Sequence, residues 1–205
     1  MEVEVKLRLP NSESHQKLSN ILSPFHTQTL IQENIFFDTP TSHLASNLAI
    51  LRLRFYNQDS HCTLTLKSKP TLANGISRIE EQEEPVDPLL GRMCVAEPRR
   101  LWALERSKIM MRVAEEFRVG GDDDDDGLVC LGGFKNVRQV FDWRGLKLEV
   151  DESVFEFGIC YEIECESEVP EEVQRLIEEL LIGHGIDFCY SESNKFAVFL
   201  SGKLP

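Results

Sequence analysis

The sequence predicts an α+β fold built on a large antiparallel β-sheet with one strongly charged face. Three observations lead there. Charged and aliphatic residues alternate with period two in segment after segment between residues 2 and 166. The charged positions mix Arg and Lys with Glu and Asp, where an ordinary solvated face would also carry neutral polar residues. The order of elements runs strands, a helical stretch at about 87–117, further strands and a long helix.

Residues 2–8 read Glu-Val-Glu-Val-Lys-Leu-Arg. As a strand they put Glu2, Glu4, Lys6 and Arg8 on one face and Val3, Val5 and Leu7 on the other. The carboxylates suit a hard divalent cation, and the cations suit phosphate. Asn11–Leu22 reads as a capped helix, opening on Asn-Ser-Glu-Ser with Leu18, Ile21 and Leu22 at helical spacing. A strand over Gln32–Phe37 and a short helix over Ser42–Asn47 follow. Residues 50–55 alternate again with Arg52 and Arg54 on one face, and residues 62–67 set Thr63, Thr65 and Lys67 against Leu64 and Leu66. Residues 76–82 pair Arg78 with Glu80.

Asp87–Val95 and Glu97–Phe117 read as mainly helical, with Leu101, Leu104, Met110, Met111 and Val113 as core. Strands resume at 134–140, with Asn136 and Arg138 opposite Val137. At 146–151, Lys147, Glu149 and Asp151 oppose Leu146, Leu148 and Val150; at 161–166, Glu162, Glu164 and Glu166 oppose Tyr161, Ile163 and Cys165. Pro170–Ile182 is the clearest helix, with Pro-Glu-Glu at its start, Val173, Leu176, Ile177 and Leu180 on one face and Gly183 at its end. A last helix over Ser191–Phe199 carries Lys195. No linker or short repeat divides the chain, so a single domain over 1–205 is expected.

Two architectures satisfy this alternation: a sheet with its charged face in solvent and helices behind, or a closed antiparallel barrel with a polar lumen and helices outside. Period alone does not separate them. Arg at both 52 and 54 favours the lumen, because adjacent like charges on a solvated face repel without purpose.

The chain has 205 residues, 41% hydrophobic content and a net charge of −13. That balance argues against a general nucleic-acid binder, yet permits a local positive cluster for an anionic ligand. The run Asp122–Asp126 between glycines reads as a solvated loop tip, without the ligand spacing of an EF-hand. Six cysteines show neither a Cys-x-x-Cys pair nor zinc spacing with the histidines. With no basic-then-apolar start and no apolar stretch near the roughly 18 residues of a membrane span, the expectation is a cytoplasmic protein with free thiols and no membrane partner. No coiled coil is visible, and a monomer is expected.

The ordered set Glu2-x-Glu4-x-Lys6, Arg52-x-Arg54, Lys67 in Leu-Thr-Leu-Lys, Arg78-x-Glu80, Arg138, Asp151, Glu162-x-Glu164 and Lys195 in Ser-Asn-Lys-Phe resembles the CYTH superfamily, the triphosphate tunnel metalloenzymes. Within it the chain is most similar to the plant inorganic triphosphatases. The resemblance runs from Glu2 to about Leu200. It implies an eight-stranded antiparallel tunnel holding a triphosphate with Mg2+ or Mn2+, and hydrolysis of the terminal phosphate. Gln82 and Asn136 depart from it, each standing where relatives carry a charge.

On that reading Lys6, Arg8, Arg52, Arg54, Lys67, Arg78, Arg138 and Lys195 bind the substrate, inorganic triphosphate. Glu2, Glu4 and Glu164 hold a metal, and Asp151 and Glu162 hold a second metal or orient the attacking water. Glu80 supplies counter-charge. Glu2, Glu4, Lys6, Glu162, Glu164 and Lys195 form the catalytic set. Lys195, with Arg52 and Arg54, stabilises the leaving pyrophosphate. The rival readings are an adenylyl cyclase or an organic triphosphatase of the same fold, and a non-catalytic polyphosphate-binding module, which would have no use for the carboxylates.

Overall fold

The computed structural model describes residues 1–120 and 127–205; the acidic run Asp122–Asp126 lies outside the described residues. The strands are β1 (Glu2–Leu9), β2 (His26–Asp38), β3 (Ala49–Tyr56), β4 (His61–Ala73), β5 (Ile76–Val86), β6 (Val129–Trp143), β7 (Leu146–Phe155), β8 (Gly158–Glu166) and β9 (Cys189–Tyr190). The helices are α1 (Ser12–Leu22), α2 (His43–Ser46), α3 (Pro88–Ala96), α4 (Lys108–Phe117), α5 (Pro170–Gly183) and α6 (Lys195–Ser201). Neighbouring strands follow the order β5-β4-β3-β2-β6-β7-β8-β1-β9, and β5 pairs again with β1. Among the described residues, β1 to β8 therefore form a closed eight-stranded antiparallel barrel, which leaves no strand of the ring with a free edge. The far edge of β1 is shared: β5 covers Glu2–Val5, and β9 takes over at Leu7 and Arg8.

The chain divides into two compact units, one of Met1–Ile31, Thr71–Ile79 and Phe134–Pro205, the other of Gln32–Pro70 and Glu80–Gly133. In the first, Val5, Leu7 and Leu9 of β1, Leu148 and Val150 of β7, and Ile163 and Cys165 of β8 form one apolar layer. Leu18 and Leu22 of α1 and Val173, Ile177, Leu180 and Leu181 of α5 cover it. Both helices start as the sequence predicts: the Asn11 side chain accepts from the Ser14 amide at 2.9 Å, and Pro170, Glu171 and Glu172 open α5.

In the second unit, Leu51, Leu53 and Phe55 of β3 and Leu64 and Leu66 of β4 pack under Leu44, Cys94, Leu101, Ile109, Met110 and Val113. In both units these helices thus lie on the aliphatic faces of the strands, while α6 begins at the charged face with Lys195. Each buried Leu or Ile contributes about 1.5–3 kcal/mol relative to exposure, so the core of this barrel lies outside the ring.

Some elements differ from expectation. The helix read over Glu97–Phe117 is broken: a 3-10 turn spans Pro98–Ala103, Arg106 takes a left-handed φ of 63°, and α4 restarts after Ser107. Glu84 fixes the restart by accepting from Ser107 Oγ (2.6 Å) and from the amides of Lys108 (2.7 Å) and Ile109 (3.2 Å). Met111 faces solvent. The last helix begins at Lys195, not Ser191, because Asn194 caps it by accepting from the Ala197 amide at 2.8 Å. β2 and β6 both outrun their predicted spans. No described helix is long and apolar enough to cross a membrane.

Gly133 in β6 has no room for a side chain: a Cβ there would run into the Asn34 carbonyl oxygen. The obstacle is backbone, so no rotamer relieves it. Gly133→Ala is expected to cost about 3 kcal/mol or more, lowering Tm by roughly 10 °C. Calorimetry checks this, and an unchanged Tm would contradict the close approach.

Candidate active site

In the first unit, register stacks the charged positions of adjacent strands. Lys6 pairs across from Glu164 and Arg8 from Glu162. Glu149 lies opposite Glu164, Asp151 opposite Glu162, and Arg138 opposite Asp151. Two carboxylates directly opposite each other destabilise a sheet, and here they are buried: Asp151 is 0%, Glu162 2% and Glu164 3% exposed.

Interposed cations answer that repulsion. Arg138 donates to Asp151 through Nε (2.8 Å) and Nη2 (2.6 Å), to Glu164 Oε2 (2.6 Å), and to Glu149. Lys195 Nζ lies 2.5 Å from Asp151 Oδ2, 2.7 Å from Glu164 Oε1 and 3.4 Å from Glu162 Oε2. Lys6 Nζ joins Glu164 Oε1 (2.7 Å) to Glu4 Oε1 (2.9 Å). Arg8 Nη2 and Ser191 Oγ both donate to Glu162 Oε1, at 3.0 and 2.8 Å. Asn136, the neutral residue on this face, accepts from the equally neutral Ser153 opposite it at 2.7 Å. Glu2 is half-buried at the start of β1, across from Ile79.

Burial by itself would push the Glu164 carboxyl up; Lys195, Lys6 and Arg138 outweigh it and hold Glu164 well below the carboxylate range. Asp151 is likewise held down by Arg138 and Lys195 against its desolvation. Desolvation would lower Lys6 and Lys195, but Glu164 with Glu4 raises Lys6 and Asp151 with Glu164 raises Lys195. Arg138 is raised well above its usual value by Asp151 and Glu164, against the same desolvation. Lys6, Arg138, Asp151, Glu164 and Lys195 are therefore ionised at neutral pH.

The second unit carries its own charged group. Arg52 Nη2 donates to Thr65 Oγ1 (3.1 Å), which donates to Glu83 Oε1 (3.0 Å), and Arg52 also lies 3.8 Å from Glu81. Lys67 Nζ meets Glu81 Oε2 at 2.7 Å, and Arg54 Nε donates to Asn34 Oδ1 at 2.8 Å. Burial, with the charge of Arg54 beside it, pulls Arg52 down to about 10, so it stays a cation at neutral pH. Each unit leaves a buried guanidinium donor unsatisfied: Arg8 Nε and Arg52 Nε have no hydrogen-bond partner, nor has the buried Thr63 Oγ1.

Two predicted site residues stand apart from these groups. Arg78 is exposed and donates to Glu171 of α5 at 3.2 Å. Glu80 receives Lys69 (2.9 Å), Arg112 of α4 (3.2 Å) and Ser68 (3.3 Å). Both lie on the helix-covered side of β5. Glu81 and Glu83 instead meet Arg52 and Lys67. Residues 80–84 carry Glu at positions of both phases, so alternation could not tell one face from the other. Glu149 was legible, being in phase with Asp151. Ser191 gave no sequence signal.

The anionic groups are all carboxylates, the hard oxygen donors that Mg2+ and Mn2+ take. Glu4 and Glu164 converge on Lys6 Nζ, and Asp151, Glu162 and Glu164 on Lys195 Nζ. With ammonium groups at those points, no three His, Cys, Asp or Glu side chains among the described residues are arranged to hold an ion. The donor chemistry fits a divalent cation, and taking one up requires the lysines to turn aside.

Comparison with known proteins bears on this arrangement. The CYTH domain pattern matches residues 1–188. HpAC1 from Hippeastrum, suggested to be an adenylyl cyclase and described as having a dominant triphosphatase activity, is 50% identical, with a TM-score of 0.96 over 100% of this chain and 98% of that one. A Bacillus halodurans protein suggested to be an adenylate cyclase is 22% identical, with a TM-score of 0.74 over 97% of each chain. The PH1819 protein from Pyrococcus horikoshii is 17% identical, with a TM-score of 0.60 over 98% of this chain and 99% of that one. These last two share the fold. No curated protein sequence matches. With the family pattern running through nearly all of the charged strands, this chain belongs to the CYTH family.

Proposed function

We propose that this chain hydrolyses inorganic triphosphate (tripolyphosphate) to pyrophosphate and phosphate with the help of Mg2+ or Mn2+. The observation that carries the reading is the pair of buried guanidinium donors, Arg8 Nε and Arg52 Nε, without acceptors. A buried N–H left unpaired costs about 1–3 kcal/mol, and phosphate oxygens are the acceptors that guanidinium geometry matches. The dominant triphosphatase activity of the Hippeastrum protein supports the same reading.

Lys6, Arg8, Arg138 and Lys195 would take phosphate oxygens in one unit, and Arg52, Arg54 and Lys67 offer the same chemistry in the other. Arg78, engaged with Glu171, has no part in this. Glu2, Glu4 and Glu164 would hold the metal, with Asp151 and Glu162 beside them. A bound divalent ion would offset phosphate charge and lower the pKa of a water. Glu162 and Asp151 would orient the attacking water in line with the terminal phosphate, and Lys195 would stabilise the leaving pyrophosphate. The lysines would change partners from carboxylate to phosphate as metal and substrate enter. Positioning and electrostatics carry most of the rate in such transfers.

Phosphate release from tripolyphosphate and from ATP, with Mg2+, Mn2+ or EDTA, tests the reading. Fast metal-dependent release from tripolyphosphate, slow release from ATP, and loss of both in Glu4→Ala are expected. Cyclic AMP formed from ATP without release from tripolyphosphate would replace this reading with the cyclase that HpAC1 was first suggested to be.

Glu164→Gln removes the anion shared by Lys6, Arg138 and Lys195. It is expected to lower kcat/KM by at least about 100-fold and stability by roughly 3 kcal/mol. Steady-state kinetics and urea titration measure the two, and near-wild-type values in both would show that the hub is dispensable.

The pH dependence follows from the shifts. The depressed Asp151 and Glu164 contribute stability that is complete above the ordinary carboxylate pKa of about 4 and is lost as pH falls through their lowered values. The raised Lys6 and Lys195 contribute stability that is complete below about 10.4 and is lost as pH rises through their raised values. Tm should therefore be nearly level between these limits. Thermal melts across pH check this, and a Tm that already falls between pH 7 and pH 5 would count against the ionised network.

A further inference from the structure

Ser191 lies between β9 and α6 and is 2% exposed. Its amide donates to the Lys6 carbonyl at 3.2 Å. Its hydroxyl donates to Glu162 Oε1 at 2.8 Å, the same oxygen that receives Arg8 Nη2 at 3.0 Å. Two donors on Oε1 fix the carboxylate plane and leave Oε2 facing Lys195, 3.4 Å away. Lys195 itself comes four residues after Ser191, at the first turn of α6. A buried serine usually satisfies itself on nearby backbone. This one reaches across to a carboxylate of the cluster while its own backbone is tied to another cluster residue.

We propose that Ser191 is a positioning residue: it holds Glu162 in the rotamer that presents Oε2 to the reaction centre, and it anchors the short segment that delivers Lys195. The inference rests on the triphosphatase reading. Ser191 touches no reacting atom in this role; it acts through Glu162. Without the hydroxyl, Arg8 alone holds Oε1 by a single bond, and the carboxylate swings about its side-chain torsions. Substrate binding, which depends on the cations, suffers little, while the step that depends on the orientation of Glu162 slows.

Ser191→Ala, Ser191→Thr, Glu162→Gln and the Ser191→Ala/Glu162→Gln double variant are assayed on tripolyphosphate beside wild type. The expected result is a kcat about tenfold lower in Ser191→Ala with KM changed less than about twofold. Ser191→Thr restores kcat, and the double variant is no slower than Glu162→Gln alone, as coupled residues require. A wild-type kcat in Ser191→Ala, or fully additive effects, overturns the inference while leaving the triphosphatase reading in place. If wild type itself releases no phosphate, the triphosphatase reading fails. The crystal structure of Ser191→Ala then decides the positioning role alone: a displaced Glu162 carboxylate supports it, and an unmoved one overturns it.

Discussion

Burying like charges face to face is the constraint from which the rest of this structure follows. Glu149 and Glu164, and Asp151 and Glu162, are direct cross-strand neighbours on the face opposite the apolar layer that α1 and α5 cover. Unit charges 4 Å apart interact by about 4 kcal/mol at the effective dielectric of such sites. The pairs are tolerable because Arg138 and Lys195 lie among them and because Lys6 holds Glu164 from a third strand. Each cation touches more than one carboxylate, and Glu164 touches three cations. A network of this kind has no member that can be neutralised without leaving another uncompensated.

That polar interior dictates where the hydrophobic core must go. With the inner positions of the strands given over mainly to charged and polar groups, the aliphatic positions face outward and need cover. α1 and α5 provide it for one unit, and α2, α3, α4 and the 3-10 turn for the other. The caps then matter beyond their own helices. Glu84, a residue of β5, fixes the start of α4, so the strand and the helix over its apolar neighbours are set in register by one carboxylate.

Much of this was legible in the sequence because period-two alternation carries two messages at once, the strand and its face. It worked where only one phase was charged, as in residues 2–8 and 161–166. It failed at β5, where adjacent glutamates occupy both phases; Arg78 and Glu80 proved to face the helices, and Glu81 and Glu83 the charged groups. The first half of β2, His26–Ile31, has no buried residue, so there was no apolar face to read. β9 is two residues long, too short for any pattern. Ser191 looked like the start of a helix because serine often is one, and only tertiary contact reveals that its hydroxyl belongs to Glu162. Asn194, three residues on, holds the cap.

The two-sided pairing of β1 bears on how the chain comes off the ribosome. β1 is made before the strands it pairs with, and its partners on one edge, β8 residues, follow by more than a hundred and fifty positions, as Lys6 and Glu164 are separated by 158. At roughly 5–20 residues per second of synthesis, the strand waits on the order of ten to thirty seconds before that edge can be covered, and such long-range pairing is slow in any case. An alternating aliphatic strand left open that long invites pairing with other chains. Its Glu, Glu, Lys and Arg face is a deterrent of the kind that natural edge strands carry. The residues proposed to meet the substrate are thus also suited to guard the nascent chain against aggregation, and a substitution that neutralises them is expected to lower solubility during synthesis whatever it does to turnover.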